Sequence, residues 1–226
     1  MYHHVAPPTP GLELYVTPET FEQQMEFLKV HDYRVLPLEE AVRLAKAGQT
    51  SPPKSVVITF DDGYLDNFNY AFPVLKKMGF PATIFMITNN VNEPGFLSEE
   101  DLRILDEAGI SIGSHTASHA FLPRLKEGEV AWELAGSKKR LEKILAHPVT
   151  LFSYPAGGVT GELETMVKEQ GYHGAVTTNY GRKLRDPYAL HRVKVSDANG
   201  SLFNFWIKTS GLYPLGKKRV AWVPES

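Results

Sequence analysis

The chain has 226 residues, of which 42% are hydrophobic and 11% aromatic, and its formal net charge is -2. This length and composition predict a single domain that spans residues 1–226. Because the charge is near zero and no long run of one sign occurs, we expect no nucleic-acid partner. The sequence has no cysteine, which excludes disulfides, thiolate metal ligands and cysteine nucleophiles, so any metal must be bound by His, Asp or Glu.

The start of the sequence bears on the compartment. No stretch approaches the roughly 18 consecutive apolar residues of a membrane span, so we predict none. Residues 1–5 resemble the end of a strand, with neither a helix cap nor a leader in front of them. We therefore expect that a signal or anchor segment has been removed ahead of residue 1.

Apolar spacing and glycine positions predict alternating helices and strands. The predicted helices cover about residues 17–31, 38–47, 69–78, 98–109, 126–145 and 162–170. The predicted strands lie at about residues 34–36, 56–58, 82–87, 110–113, 149–154, 175–177 and 190–195. Three of the helices end in Gly followed by an apolar residue, which favours repeated β-α units. We thus predict an α/β fold in which about seven parallel strands close into a barrel.

The end of the chain is aromatic. Residues 200–226 include Phe203, Phe205, Trp206, Tyr213 and Trp222. We expect this tail to pack across the outside of the barrel.

Two adjacent carboxylates follow the apolar residues 56–58. They belong to residues 59–63, with the sequence TFDDG, in which Asp61 and Asp62 precede Gly63. Adjacent side chains on a strand face opposite sides, but a strand that ends in a loop at a glycine can direct both at one cavity. A turn that merely ends a strand is the simpler alternative, since Asp and Gly are common turn residues.

A pair of histidines, His115 and His119, follows another predicted strand. A spacing of four residues brings both imidazoles to one side of a helical turn or tight loop. Two His and one Asp leave positions open on an ion such as Zn²⁺, as catalytic sites require, for water and a substrate carbonyl. A second carboxylate beside the ion is then available as a base. The alternative is a surface role for His119 and a buried structural role for His115.

These motifs together resemble those of the polysaccharide deacetylases of carbohydrate esterase family four. TFDDG, the run HTASH at residues 115–119 and the run YPAG at residues 154–157 carry the resemblance, which covers residues 1–195. It implies a distorted (β/α) barrel that removes N-acetyl groups from amino sugars. By this resemblance Asp61 is the catalytic base, whereas Asp62, His115 and His119 bind one divalent metal ion, for which we expect Zn, with Co or Ni as alternatives.

The resemblance also assigns the oxyanion and the substrate. The backbone N–H of Ala156, flanked by Tyr154 and Pro155, would hold the oxyanion with the metal. The implied partner is an N-acetylated glycan of the poly-N-acetylglucosamine, chitin-like or peptidoglycan type, and the implied location is extracellular or at the cell surface.

In its third motif the chain departs from the commoner family pattern. Many members have Arg-x-Pro there, with the Arg pairing to the base, whereas this chain has Ser153-Tyr154-Pro155. The remaining features resemble the branch that deacetylates poly-N-acetylglucosamine, in which a Tyr-His pair lies near the start. We therefore expect His3 to be the general acid, with His191 as the competitor.

Other side chains near the predicted site have further candidate roles. We expect Arg192 to replace the missing Arg beside Asp61, with a surface ion pair as the alternative, and we expect His4 to pack. Four aromatic residues, Tyr64, Phe96, Tyr154 and Tyr180, are candidates either for stacking on sugar rings or for rim packing. The competing functions are a small amide or imide hydrolase of the same fold and a non-catalytic carbohydrate-binding relic.

Overall fold

The computed structural model of the protein describes residues 1–9, 11, 14–179, 186–196 and 201–211. Its helices between residues 18 and 169 lie close to the predicted ranges, whereas the helix at residues 202–209 was not predicted. They are α1 (Pro18–Val30), α2 (Leu38–Lys46), α3 (Phe72–Met78), α4 (Glu99–Glu107), α5 (Glu127–Leu145), α6 (Gly161–Glu169) and α7 (Leu202–Thr209). Tyr180, Tyr213 and Trp222, which the sequence analysis singled out, lie outside the described residues.

Local chemistry explains where several helices begin. The hydroxyl of Thr17 accepts a hydrogen bond from the Thr20 N–H ahead of α1, and Pro18 occupies the first helical position. Ser98 and Asp101 form a reciprocal capping box at α4. The helix expected from about residue 69 instead begins with a π-helical turn, Asn67–Ala71, before α3. Pro73 in the first turn of α3 has no N–H to donate, so the regular ladder cannot extend back through it.

The strands are short. They are β1 (His4–Val5), β2 (Tyr15–Val16), β3 (Arg34–Val35), β4 (Ser55–Val56), β5 (Thr59–Phe60), β6 (Thr83–Met86), β7 (Ser111–Ser114), β8 (Leu151–Ser153) and β9 (Gly174–Val176). In place of the single strand expected at residues 56–58, two short strands lie on either side of residues 57–58. β4 pairs with β3, whereas β5 belongs to the main sheet. That sheet is parallel and has the order β5-β6-β7-β8-β9.

Two further segments extend the main sheet at its edges. Tyr2 forms a parallel bridge with Phe60 beside β5, and Leu190 forms one with Val176 beside β9. Hydrogen bonds then join the two added segments, since the Met1 amine donates to the Val193 carbonyl and the Val195 N–H donates to the Met1 carbonyl. The α/β barrel prediction is confirmed, although the regular sheet has five strands and the remaining two segments contribute only single bridges.

The core lies between this sheet and the helices. All four residues of β6 are buried, as expected for a parallel strand covered on both faces. From the C-terminal region, Phe205 of α7 is buried and packs edge-on against Phe27 of α1, whereas Phe203 and Trp206 remain exposed. Of these described aromatic residues, one is therefore in the core and two face solvent.

Candidate active site

The site forms where three strands of the main sheet end. Asp61 and Asp62 follow β5, His115 follows β7, and residues 154–157 follow β8. Because the strands are parallel, their carboxyl ends lie at one edge of the sheet, the edge that holds the functional residues in (β/α) barrels.

Three side chains converge at this edge, those of Asp62, His115 and His119, and they are called the triad below. Each offers one ligand atom, and the three atoms lie within 4.8 Å of one another. The Asp62 Oδ1 is 3.5 Å from the Nε2 of His115 and 3.5 Å from the Nε2 of His119. Asp62 and His115 are buried, whereas 43% of the His119 side chain is exposed, so the cluster is open to solvent on that side.

The chemistry of these donors fits a divalent metal ion. The Asp62 Oδ1 is buried and has no hydrogen-bond partner among the described residues, which is costly unless a cation is bound. The Nδ1 of His115 lies 2.7 Å from the Ser153 carbonyl oxygen, which can only accept, so Nδ1 carries the proton and Nε2 presents a lone pair toward Asp62. The protein thus orients the His115 imidazole, and among the described residues it leaves the Asp62 Oδ1 without a hydrogen-bond donor.

Asp61, unlike Asp62, has its negative charge compensated by a side chain of the protein. Its Oδ1 and Oδ2 accept hydrogen bonds of 2.7 Å and 2.6 Å from the two terminal nitrogens of Arg192, and both side chains are buried. Arg192 also donates to the Thr59 and Ser153 hydroxyls. Burial alone would raise the pKa of Asp61, but the Arg192 guanidinium, together with the nearby His115 and His3, outweighs it and holds that pKa well below its usual range. The structure therefore places Arg192 beside Asp61.

Strained backbone marks the same edge. Asp62, Thr116, His119 and Ala156 all have positive φ angles, of 76°, 65°, 61° and 51°. Non-glycine residues rarely adopt this conformation, which persists only where the surroundings enforce it and which is concentrated at functional sites.

The bend after β8 presents backbone rather than side chains. Ala156 is exposed, and no described residue accepts a hydrogen bond from its N–H. Gly157, with φ 74°, lies so close to Thr178 that a Cβ would be only 2.0 Å from the Thr178 Oγ1. Pro155 is buried at the start of the bend.

Tyr154 is turned away from the carboxylates. Its ring is fully buried and packs edge-on against Phe152, and the charges that act on its hydroxyl include those of Glu164 and Asp186. Side chains alternate along a strand, so with Ser153 directed at Asp61 the next residue must point to the helix side. Of the two roles considered for this ring, the structure favours packing over stacking on a sugar.

The three candidate histidines occupy different positions. His3 is half-buried, and burial lowers its pKa to about 4, while the charges of Asp61 and Asp62 oppose this shift. The Nδ1 of His191 lies 3.2 Å from the Asn179 carbonyl oxygen. His4 pairs with Asp66 and stacks on Tyr64, with ring centroids 3.5 Å apart. Thus His3 is within electrostatic reach of both carboxylates, and His4 packs as expected.

An aromatic rim borders the triad. Tyr64 stacks on Phe96, with ring centroids 5.1 Å apart. Burial and the nearby Asp62 raise the pKa of Tyr64 above its usual range, so the phenol stays protonated.

A cavity of about 480 Å³ lies elsewhere, lined by Arg192 and Thr59 but by none of the residues of the triad.

Sequence reasoning missed Glu133. This residue of α5 is buried, and its carboxylate accepts hydrogen bonds from the backbone N–H groups of Ala117 and Ser118. A signal was present, because Glu133 lies in the apolar stripe of its helix between Val130 and Leu134, where a charged side chain needs a buried partner.

The fold and the site together define a class of metal-dependent hydrolase built on an α/β barrel. A family model described as polysaccharide deacetylase matches residues 48–175. The matched region includes Asp61, the metal triad and Ala156, and it excludes His3 and Arg192.

Individual relatives agree with this assignment. The protein YxkH of Bacillus subtilis (strain 168) is 39% identical over 212 residues, which are 92% of this chain and 75% of the relative. The poly-beta-1,6-N-acetyl-D-glucosamine N-deacetylase of Staphylococcus epidermidis is 30% identical, with 84% of this chain and 72% of the relative covered. The Streptococcus pyogenes deacetylase PplD, solved in complex with acetate, superposes with a TM-score of 0.85 at 27% identity, covering 92% of this chain and 95% of that one.

The chain belongs to the polysaccharide deacetylase family. Its class is that of a carbohydrate N-deacetylase, a hydrolase that cleaves the amide bond of an N-acetylated sugar. Among the described helices, none combines the length and the apolar character needed to cross a membrane.

Proposed function

We propose that the protein removes N-acetyl groups from an N-acetylglucosamine polymer outside the cytoplasm. The observation that carries the proposal is the convergence of Asp62, His115 and His119 beside the separate, Arg-paired Asp61. In the reaction, water adds to the acetamide carbonyl carbon and the C–N bond breaks. The products are acetate and a free amine on the sugar.

Asp61 is the proposed base. Its carboxylate stays ionised because Arg192 compensates its charge in a buried position, and the fork of hydrogen bonds fixes its orientation. Asp61 would take the proton of the attacking water. Arg192 thereby supplies what the third family motif lacks in this chain.

His3 is the proposed donor to the leaving nitrogen, which must be protonated because an amide anion is too basic to depart. Its lowered pKa means that the ring is neutral at neutral pH in the free protein. The ring must therefore gain a proton during turnover before it acts as an acid. His191 is the alternative donor, although its ring is directed at the Asn179 carbonyl.

Asp62, His115 and His119 would hold the divalent ion, which we propose is Zn²⁺. When bound, such an ion supplies Lewis acidity that makes water more acidic and polarises a carbonyl oxygen. The N–H of Ala156, held in a left-handed bend, would donate to the oxyanion. Preorganised donors of this type are commonly worth 10²- to 10³-fold in rate.

The open side of the site favours a polymer over a small molecule. The exposed His119 and the half-buried rim of Tyr64 and Phe96 leave room for a chain that continues past the reacting sugar. A small amide hydrolase would be favoured by a closed groove instead. The carbohydrate-binding relic was suggested by the missing Arg, and the Asp61–Arg192 pair removes that reason.

Acetate release tests the proposal. The protein is incubated with oligomers of β-1,6-linked N-acetylglucosamine, with chitin oligomers and with peptidoglycan fragments, each with added Zn²⁺, Co²⁺ or Ni²⁺. We expect release from at least one glycan, and we expect Asp61→Asn to reduce it by about 10²- to 10⁴-fold without loss of metal binding. No release from any of these substrates would refute the proposal.

A further inference from the structure

The backbone N–H groups of residues 116–119, next to and including the metal-binding histidine His119, all donate to nearby side chains. In residues 116–119, the Thr116 N–H donates to the Ser114 hydroxyl, and the His119 N–H donates to the Thr116 hydroxyl. The two remaining N–H groups, those of Ala117 and Ser118, both donate to one oxygen of Glu133, at 2.8 Å and 2.9 Å. This segment, residues 115–119, is called the histidine loop below.

Glu133 is the contributor to this network that lies farthest away in sequence. It is 16 residues from Ala117, on the long helix α5, and its second oxygen accepts a hydrogen bond from the Ser118 hydroxyl. The residue is only 4% exposed. A buried carboxylate is stable only if it is fully hydrogen-bonded or compensated, so this arrangement is specific to its three donors.

The histidine loop needs such support because its backbone is strained at the two residues that flank the Glu133 contact. Thr116 and His119 adopt left-handed conformations, which brings the Nε2 of His119 to 3.5 Å from the Asp62 Oδ1. Unlike His115, whose ring is held by the Ser153 carbonyl, His119 is substantially exposed. The position of His119 therefore depends on the backbone of the loop.

We propose that Glu133 is a positioning residue that sets the metal affinity of the site by holding the histidine loop in its ligating conformation. Its carboxylate does not belong to the triad and acts through His119. The inference rests on the proposed metal-dependent function. It predicts that the binding constant for a divalent ion depends on the contacts of Glu133 even when no substrate is present.

Glu142 provides a matched control on the same helix. Its carboxylate also accepts a hydrogen bond from the backbone N–H of a nearby loop, that of Val149, at 3.0 Å, and it pairs with Lys138. The loop that it holds carries no residue of the triad. Substitution of Glu142 therefore removes a similar helix-to-loop contact without touching the histidine loop.

The experiment measures metal binding directly. The metal-free full chain and its Glu133→Ala, Glu133→Gln and Glu142→Ala variants are titrated with Zn²⁺ against a chromogenic chelator, and their Co²⁺ absorption spectra are recorded. We expect Glu133→Ala to weaken Zn²⁺ binding about 10- to 100-fold, the usual effect of losing a group that orients metal ligands, and to alter the Co²⁺ bands. Glu142→Ala should leave both unchanged.

Glu133→Gln distinguishes positioning from charge. The amide oxygen can still accept from the two backbone N–H groups, and the Ser118 hydroxyl can rotate to accept from the amide nitrogen. We therefore expect this variant to recover most of the affinity lost in Glu133→Ala. If Glu133→Ala does not fold by circular dichroism, Glu133→Asp replaces it, because the shorter side chain keeps the charge but withdraws the carboxylate from the loop.

Unchanged Zn²⁺ affinity in folded Glu133→Ala or Glu133→Asp would overturn the inference, and so would equal weakening in Glu142→Ala. The proposed function fails separately. If the unsubstituted protein binds Zn²⁺ with a Glu133-dependent affinity but releases no acetate from any glycan, the substrate assignment is wrong and the role of Glu133 remains.

Discussion

Asp61 and Asp62 are neighbours in sequence, yet they lie in two regions that differ in whether a protein side chain compensates the charge of the carboxylate. Asp61 lies inside the barrel, where Arg192 donates two hydrogen bonds to it. Asp62 lies at the mouth, where its buried Oδ1 has no hydrogen-bond partner among the described residues and faces two imidazoles. The protein supplies the positive charge for the first carboxylate and leaves the second for a metal ion.

The difference shows how one dipeptide can provide two chemical roles. A carboxylate compensated by a guanidinium is held ionised and oriented, as a base requires. A carboxylate without a protein cation is suited to ligate one. The left-handed backbone at Asp62, with φ 76°, and the flexible Gly63 that follows it allow the two side chains to diverge.

Loss of Arg192 should have the largest effect on stability. Arg192→Met leaves Asp61 buried without its cation, and we expect the free energy of unfolding to fall by about 3–5 kcal/mol, measured by urea denaturation. Arg43→Met is the control, because Arg43 pairs with Glu40 at 2.7 Å on the surface, where solvent screens the pair, and its loss should leave the free energy of unfolding nearly unchanged. Equal losses in the two variants would show that the inner pair is not a buried charge pair in solution.

The proton donor is tested by comparing His3 with His191. His3→Asn should lower kcat by about 10²-fold or more, because the leaving nitrogen would lack its acid. His191→Asn should lower it only a few-fold. A larger loss in His191→Asn would reverse the assignment, and Zn²⁺ titration of both variants checks that metal binding persists.

Metal addition should separate the two carboxylates. At a free Zn²⁺ concentration 100 times its dissociation constant, binding to the native state stabilises the protein by about 2.7 kcal/mol, and a chelator removes this gain. We expect Asp61→Asn to keep the response and Asp62→Ala to lose it, measured as the shift of the thermal unfolding midpoint. A response retained in Asp62→Ala would mean that the ion binds elsewhere.

The smallest expected effect concerns an exposed pair, His147 with Asp106, whose Nε2 and Oδ2 lie 2.8 Å apart. The hydrogen bond to Asp106 raises the pKa of His147 in the folded state. The stabilisation is therefore complete below the pKa of the unfolded chain, about 6.5, and is lost as pH rises through the higher folded pKa. Asp106→Asn should cost about 0.2–1 kcal/mol at pH 5.5 and nothing at pH 9.

The sequence predicted the fold class and the residues at the strand ends, because apolar periodicity and glycine positions depend on local chemistry. It also suggested the proximity of Arg192 to Asp61, although these residues are 131 positions apart and a surface ion pair was the alternative. Their distance of 2.6 Å could be known only from the closed barrel. Two strands are shorter than predicted, since regular pairing covers only Thr83–Met86 of residues 82–87 and Leu151–Ser153 of residues 149–154.

Two residues show which information the sequence pattern does not carry. Glu133 was not predicted as a site residue, because its place in the buried stripe of α5 indicates burial but not the loop that its carboxylate contacts. Tyr154 had two candidate roles, stacking on a sugar ring and rim packing, and its buried ring favours packing. Side-chain alternation continues past the end of β8, so Ser153 faces Asp61 and Tyr154 faces the core.

The bridge that joins the first residues to segment 190–195 has a consequence for folding. His3 and Arg192 lie on the two segments that meet there, so the proposed base is not oriented and the proposed acid is not in place until the most distant parts of the chain have paired. Contacts of such long sequence separation are among the slowest to form. Recovery of activity during refolding should thus lag behind recovery of helical signal. Turnover would then report when the first residues have paired with segment 190–195.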